Sequence, residues 1–456
     1  MSISNNALSG ALAAQAALNT ASQNIANLQT KGYTRQGVLL AAIGPGGNAG
    51  SAGSGVEVSS LLRFSDAYKN QQMWRAASDL GQRSQTQPYL TQLERVMGDD
   101  RSGLSAGIDE FFKALNAAGV DPTSTPLRQQ VVTAADSMSQ HFNSIYNVTA
   151  NQLLSVQQQR GAILPKLNES LQNIAALNGA IAGAAATGTN TSALVDQRDQ
   201  EIDKLASMVS IEVIDNRDGS RSVSLKSGQP LVDGSLAGTL AFDNSTVPQT
   251  LKLNFASSNF TLDDAKLGGQ LGGLGDFQVN TLIPLQKSIS DIAEQMTTKI
   301  NDQLALGFDA NGLPGGPLLV FNPSSATGLL QITSGIKAND LAFSADGMPG
   351  DSSNLQLLIA IKGQNVTLTS VGTVLLGDAD TQLVGKLAIN SQQNKALLNT
   401  ATTIRQQAED DWKSTSGVNE DEEAVSLIEY QRMYQANMKA VAVANSLFDA
   451  TLQMFG

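Results

Sequence analysis

The residues able to carry chemistry are few. The chain has one histidine, His141, and no cysteine, so thiolate nucleophiles, disulfides and zinc–thiolate sites are all absent. One histidine cannot build the usual zinc site, and no His-Glu-x-x-His run is present. A Ser-His-Asp arrangement stays formally open because serine is plentiful, yet no Gly-x-Ser-x-Gly elbow accompanies it. His141 therefore reads as a packing or surface residue. Asp309-Ala310-Asn311-Gly312 begins as a calcium loop begins but lacks the later ligands and the Glu at position twelve, so it reads as a turn. Glu420, Asp421, Glu422 and Glu423 are consecutive; on a helix such neighbours point in different directions and cannot converge on one ion. The Gly-rich stretch 44–55 is not followed by the Lys-Ser/Thr that a phosphate cradle needs. Trp74, Trp412 and the scattered tyrosines read as packing anchors. No catalytic residue, cofactor or metal is expected, and the chain reads as a structural protein rather than an enzyme.

Composition narrows the partners. The 456 residues carry a net charge of -12 with no basic run, which disfavours nucleic acid and anionic membrane surfaces. No segment approaches 18 consecutive apolar residues, so no membrane insertion is expected. The first lysine is Lys31, so the positive n-region of a secretory signal is missing; export, if it occurs, is expected by another route and without cleavage. The lack of cysteine fits either the cytosol or export without oxidative folding. Aromatics make up only 5% of residues, which suits long helices with small-residue contacts better than a deep aromatic-lined cavity.

The elements that must position these residues follow from proline and periodicity. All twelve prolines lie between Pro45 and Pro349, which leaves both chain ends free to form long helices. Near the N-terminus, Ala7, Ala11, Ala14, Leu18, Ala21, Ile25 and Leu28 recur at alternating steps of four and three. Near the C-terminus, Leu427, Tyr434, Met438, Val441, Phe448, Leu452 and Phe455 do the same, with Gln431 and Asn445 at the intervening positions. Such spacing places each set on one narrow stripe, the seam of a coiled coil. Two ordinary helices of an intramolecular bundle would show the same periodicity. The mostly-alanine N-terminal seam buries little area, so that helix is marginal on its own while permitting very close approach of another. Both stripes also sit at the chain ends, where an ordinary fold tolerates fraying. The second stripe has a defined start: Gly417 breaks the preceding segment, Asn419 serves as N-cap, and Glu422 completes an Asn-x-x-Glu variant of the capping box.

Between the ends the pattern predicts two short strands about 38–43 and 55–58, then helices to about 209, with Thr125-Pro126 opening a long one that Gly161 and Pro165 should kink or split. Strand-like runs at 211–214, 222–225 and 251–255, with an Asp218-Gly219 turn, mark a small β insertion closed by the glycines of 268–275. Helical periodicity returns at Leu285, Ile289, Ile292, Met296 and Ile300, and again over 379–412, around a mixed stretch at 307–375. The reading is mainly α with an inserted β domain: residues 1–60 and 413–456 form a terminal domain of paired coiled-coil helices, 61–208 and 281–412 a helical-bundle layer, and 209–280 a small outer β domain.

Two motifs resemble a known family. Asn24-Ile25-Ala26-Asn27, followed by Thr30, Gly32, Tyr33, Thr34 and Arg35, resembles the N-terminal motif of the flagellar axial proteins. Ser416-Gly417-Val418-Asn419, Asp421-Glu422-Glu423-Ala424, Tyr430-Gln431 and Tyr434-Gln435-Ala436-Asn437 resemble the C-terminal motif of the hook-associated protein 1 family. The likeness covers about the first 75 and last 45 residues closely and the helical layer more loosely, and the C-terminal run is taken as its more specific part. The chain looks shorter than many members, as though it carried one β insertion where others carry two. The resemblance implies a structural subunit, located outside the cell at the hook–filament junction and exported uncleaved. Its implied partners are further copies of itself in a ring, the hook protein, the second junction protein and an export chaperone at the C-terminal region. The assembly seam would be Leu18, Ala21, Ile25, Leu28, Leu427, Tyr434, Met438, Val441, Phe448 and Leu452. Gly32 would permit a turn after the first helix, with Tyr33 and Arg35 anchoring the exit or simply packing. A hook or distal-rod subunit, a secreted enzyme and an intracellular coiled-coil adaptor are the alternatives.

Overall fold

The computed structural model describes residues 2–44, 53–243, 245, 250–325 and 328–455. Helix α1 (Ser2–Ala26) leads into an antiparallel pair, β1 (Gln36–Ala42) and β2 (Val56–Arg63). Most of the Gly-rich stretch between these strands lies outside the described residues. Four helices follow: α2 (Ala67–Met97), α3 (Leu104–Ala118), α4 (Thr125–Ala186) and α5 (Ser192–Met208). Strands β3 (Ile211–Asp215), β4 (Arg221–Leu225), β5 (Pro230–Asp233) and β6 (Leu236–Ala237) form one antiparallel sheet in that order. A second sheet takes β7 (Thr239–Asp243), β8 (Thr250–Phe255) and β9 (Ser258–Leu262). Next come α6 (Gly269–Phe277) and α7 (Ile283–Ala305), joined by a π-helical turn at Gln278–Leu282. The chain ends with β10 (Leu319–Phe321), β11 (Leu330–Ile332), α8 (Ser353–Ala360), β12 (Asn365–Leu368), β13 (Gly372–Leu375), α9 (Ala379–Ser416) and α10 (Glu420–Phe455). The fold is mainly helical, with long helices at both termini and a small strand-rich insertion. No described helix is long and apolar enough to cross a membrane.

Packing divides the chain into two compact units. One comprises Met1–Asp79, Lys166–Thr261 and Thr402–Gly456; the other Leu80–Pro165 and Leu262–Ala401. In the first, Ile202, Leu205, Val213, Val223, Leu225 and Leu231 are buried where α5 and the first sheet meet their surroundings. In the second, the periodic apolar residues of α7 (Leu285, Ile289, Ile292, Met296 and Ile300) are all buried, as are Phe111, Phe112, Phe142 and Phe343.

Three local expectations change. Helix α4 is one helix of 62 residues that continues through Pro165. Proline forfeits one i→i−4 bond, and buried apolar residues lie on either side of it, Val156 and Ile163 before it and Leu167, Leu171 and Ile174 after it. The glycines of 268–275 do not close the β segment; from Gly269 they form α6. A Cβ on Gly273 would fall inside contact distance of the Gln82 carbonyl oxygen, so glycine here permits backbone to approach backbone. The strands β5, β6, β7 and β9 are two to five residues long, too short for alternation to stand out in the sequence.

The residues first considered for chemistry have structural partners. His141 Nδ1 lies 3.0 Å from the Gly103 carbonyl oxygen. Asp309 Oδ1 accepts from the Asn311 and Leu313 N–H groups, both at 2.8 Å, closing a turn.

Candidate functional site at the meeting of the chain ends

The most extensive packing between any two elements joins α1 to α10. Close approach is possible because α1 offers almost nothing but small side chains: Ala7, Ala11, Ala14 and Ala21 are buried, and Gly10 sits where a Cβ would lie 2.7–2.9 Å from the Asn437 amide atoms. Gly10 near the start of α1 faces Asn437 deep in α10, while Arg35, just past α1, reaches Glu422 and Glu423 at the start of α10. The two helices therefore run antiparallel.

Along α10 the half-buried residues are Ser426, Leu427, Tyr430, Met433, Tyr434, Asn437, Ala440, Val441 and Ala444, among which Leu427, Tyr430, Tyr434, Asn437, Val441 and Ala444 recur in a regular stripe. Steps of three then four replace the four-then-three expected from sequence, so Tyr430, Asn437 and Ala444 stand where Gln431, Met438 and Asn445 were placed. Hydrophobicity alone favours Met438 over Asn437; glycine on the opposite helix leaves room for the asparagine amide. Met438, Phe448 and Leu452 are exposed, whereas Leu18, Ile25 and Leu28 are half-buried and Ala21 is buried.

At the base of this pair the N-terminal motif becomes a clamp. Asn24 is 1% exposed. Its Nδ2 donates to the Gln36 carbonyl at 2.8 Å, and its Oδ1 accepts from the Gln36 N–H at 3.1 Å and the Tyr33 hydroxyl at 2.9 Å. One buried amide thus imitates a strand neighbour and ties α1 to β1. Asn27 works locally: it donates to Gln23 O at 2.9 Å and accepts from Thr30 Oγ1 at 3.1 Å. Gly32 has φ 76, a left-handed turn that glycine adopts without strain, and Gln200 Nε2 donates to the neighbouring Lys31 carbonyl at 2.8 Å. Burial, together with the charges of Asp196 and Glu423, pushes the Tyr33 phenol up to about 12.

Arg35 links the two ends directly. Its Nη1 lies 2.7 Å from Glu422 Oε2 and its Nε 2.9 Å from Glu423 Oε1, while its guanidinium sits 5.1 Å from the Phe64 ring centroid. Its backbone N–H donates to the Ser416 carbonyl at 2.8 Å. Asn419 caps α10 as expected, accepting from the Asp421 and Glu422 N–H groups. The capping box differs in its other half, because the Glu422 carboxylate accepts from Arg35.

Sequence reasoning missed the acidic face of α5. Asp196, Asp199 and Asp203 are spaced by three and four, which puts them on one side of the helix. Asp196 accepts from the Thr34 N–H at 3.0 Å and from Arg63 Nε at 2.8 Å, and burial pushes its carboxyl up against the pull of Arg63. Asp199 takes Arg63 and Arg221. Asp203 takes Arg405 in a two-pronged pair at 2.7 and 2.9 Å, and Arg405 also donates to the Met73 carbonyl. Lys69 Nζ caps the end of α9 through the Asp411 carbonyl at 2.9 Å. The helical spacing of the three aspartates was the available signal. These charges are matched in pairs, so the arrangement holds elements together and offers no poised acid, base or nucleophile.

Fold and site together define a class: a structural subunit whose chain ends close on each other as an antiparallel helix pair, clamped at the base. Residues 90–319 match the family described as flagellar hook-associated protein FlgK helical domain, and the chain belongs to that family, whose members are structural proteins rather than enzymes. Residues 414–454 match the C-terminal family of the flagellar basal body rod proteins FlgEFG. The C-terminal run is thus shared with rod-type proteins, and it is the helical region, not that run, that discriminates. Flagellar hook-associated protein 1 of Salmonella typhimurium is 26% identical over 550 aligned positions, covering 99% of this chain and all of that protein. The Bacillus subtilis protein of the same name is 26% identical, covering 97% of this chain and 96% of its own. The flagellar hook junction protein FlgK of Burkholderia pseudomallei superposes with a TM-score of 0.51 at 28% identity, over 55% of this chain and 47% of that one. An alignment of 550 positions for a chain of 456 residues fits the expected shortness of this member.

Proposed function

We propose that this chain is a structural subunit of the bacterial flagellum, exported and assembled at the junction between hook and filament. The observation that carries the reading is the apolar surface left outside the α1–α10 pair. Ile3, Leu8 and Leu12 on α1, with Val425, Ile428, Val443, Leu447, Phe448, Leu452 and Met454 on α10, are each between 49% and 77% exposed. Large apolar residues left exposed in this number on one helix pair are the mark of a subunit interface. Family membership supplies the context in which that interface is used.

On this reading, residues 1–60 and 413–456 are the assembling part, 61–208 and 281–412 form the helical layer, and 209–280 is the inserted β domain. The seam residues Leu18, Ala21, Ile25, Leu28, Leu427, Tyr434 and Val441 hold the pair, and Met438, Phe448 and Leu452 meet other subunits. The partners are further copies in a ring, the hook protein below, the second junction protein above, and an export chaperone that covers the C-terminal region before assembly. The match of residues 414–454 to the rod family favours a second reading, a distal-rod or hook subunit. Incubating purified chain with isolated hooks separates the two. The junction reading expects a single added layer at hook tips; continued elongation would favour a hook subunit, and no addition would contradict both.

A further inference from the structure

We propose that a polar cavity in the second unit binds a neutral saccharide, a pyranose ring held through its hydroxyl groups. The cavity encloses about 350 Å³, and every residue lining it belongs to the unit built from Leu80–Pro165 and Leu262–Ala401. Its walls are α2, α6, α9 and the π-helical turn Gln278–Leu282. Such turns are rare and recur at functional sites, and Asn280 and Thr281 of this one line the cavity. Arg160 anchors the turn, its Nη1 donating to the buried Gln278 Oε1 at 2.8 Å. On α9 the buried Asn394 amide donates to the Arg83 carbonyl at 3.1 Å and to Gln87 Oε1 at 2.9 Å. Gly273 lets the backbones of α6 and α2 meet at Gln82. These ties hold the walls in place without a ligand.

What the cavity offers is hydrogen bonding that the chain itself leaves unused. Gln82, Arg83, Thr281 and Asn390 are half-buried in its lining, and no described residue gives any of these four side chains a hydrogen bond or an ion pair. The amides and the hydroxyl both donate and accept, while Arg83 only donates. The Asp276 carboxylate, bonded to Asn280 Nδ2 at 2.7 Å, supplies further acceptor capacity. A sugar hydroxyl also donates and accepts, so a ring of them answers this mixed set. Leu90 and Phe277 add apolar surface for the ring C–H groups. Other ligand classes fit worse. Peptides dock on a strand edge, an apolar or aromatic groove or an arginine cluster, and helical walls lined by amides offer none of these. Phosphate calls for converging cations, but Arg83 shares the lining with Asp276, and Lys386 Nζ is engaged by the Ser370 carbonyl. Among the described residues no cluster of His, Asp and Glu could hold a metal ion. The volume lies at the small end for ligand pockets, which suits a mono- or disaccharide.

In the test, glucose, galactose, mannose and N-acetylglucosamine are titrated into the full-length chain and read by saturation-transfer difference NMR. Each is supplied free and as its methyl glycoside, which separates a free sugar from the end residue of a glycan. At least one should bind with a Kd of about 1 mM, as a ligand of this size allows. Arg83→Ala should weaken that binding about 10-fold and Asn390→Ala about 5-fold. Lys395→Ala, on α9 but outside the lining, should leave it unchanged. The Arg83 and Asn390 side chains hold no described residue, so both variants should keep the circular dichroism of the wild type. No binding by any of these sugars, full binding retained in both Arg83→Ala and Asn390→Ala, or uptake of inorganic phosphate in place of a sugar would overturn the site. The result is independent of the junction reading, which stands or falls on hooks and filaments.

Discussion

Asn24→Ala should loosen the attachment of β1 to α1 far more than a change at its motif neighbour, Asn27. The Asn24 side chain makes three hydrogen bonds, two to the Gln36 backbone and one from the Tyr33 hydroxyl, at a position that is 1% exposed. At about 1 kcal/mol net each, their loss costs about 3 kcal/mol. Hydrogen exchange reads this locally: the Gln36 amide donates to Asn24, so its exchange should accelerate about 100-fold. Asn27 bonds to its own helix and to Thr30 at a partly exposed site, so Asn27→Ala should cost about 0.5 kcal/mol and leave Gln36 exchange nearly unchanged. Urea unfolding of both variants gives the overall figure. If Asn24→Ala changes Gln36 exchange no more than Asn27→Ala does, the amide is not the tie between helix and strand.

Other perturbations test separate parts of the account. Below pH 10 the Tyr33 phenol is neutral whether the chain is folded or unfolded; above it the unfolded chain ionises first, because the folded phenol keeps its proton to about 12. Stability should therefore fall as pH rises through that window, and Tyr33→Phe should lose that component of the slope. Gly273→Ala, which drives a methyl against the Gln82 carbonyl, should cost about 2 kcal/mol by urea titration, whereas Gly10→Ala meets only the movable Asn437 amide and should cost about half that. Val441→Glu should prevent incorporation into flagella while circular dichroism of the purified chain stays close to wild type; full rescue of motility would remove Val441 from the seam.

Much of this architecture is legible in sequence because its signals are local. Proline exclusion and three-four spacing mark α1 and α10, Asn419 marks the start of α10, and Asp218-Gly219 marks the β3–β4 turn. What escapes depends on pairing across the chain. Asn437 faces the seam in place of Met438 because Gly10, more than 400 residues away, leaves it room, and Glu422 leaves its capping box for Arg35, 387 positions earlier. The glycines of α6 look like a loop until Gln82 is seen to need the space. The aspartates of α5 carry helical spacing, but nothing local says that Arg63 and Arg405 come to meet them. The discriminating family signal likewise lay in the long helical region, where no short motif stands out.

The central claim, a structural role at the hook–filament junction, is tested most directly by electron microscopy of cells lacking this gene, with flagellin assayed in the medium. The account predicts hooks of normal length that bear no filament, with unpolymerised flagellin released outside the cell. Absent hooks would move the subunit down to the rod or hook, and normal filaments would contradict the account outright.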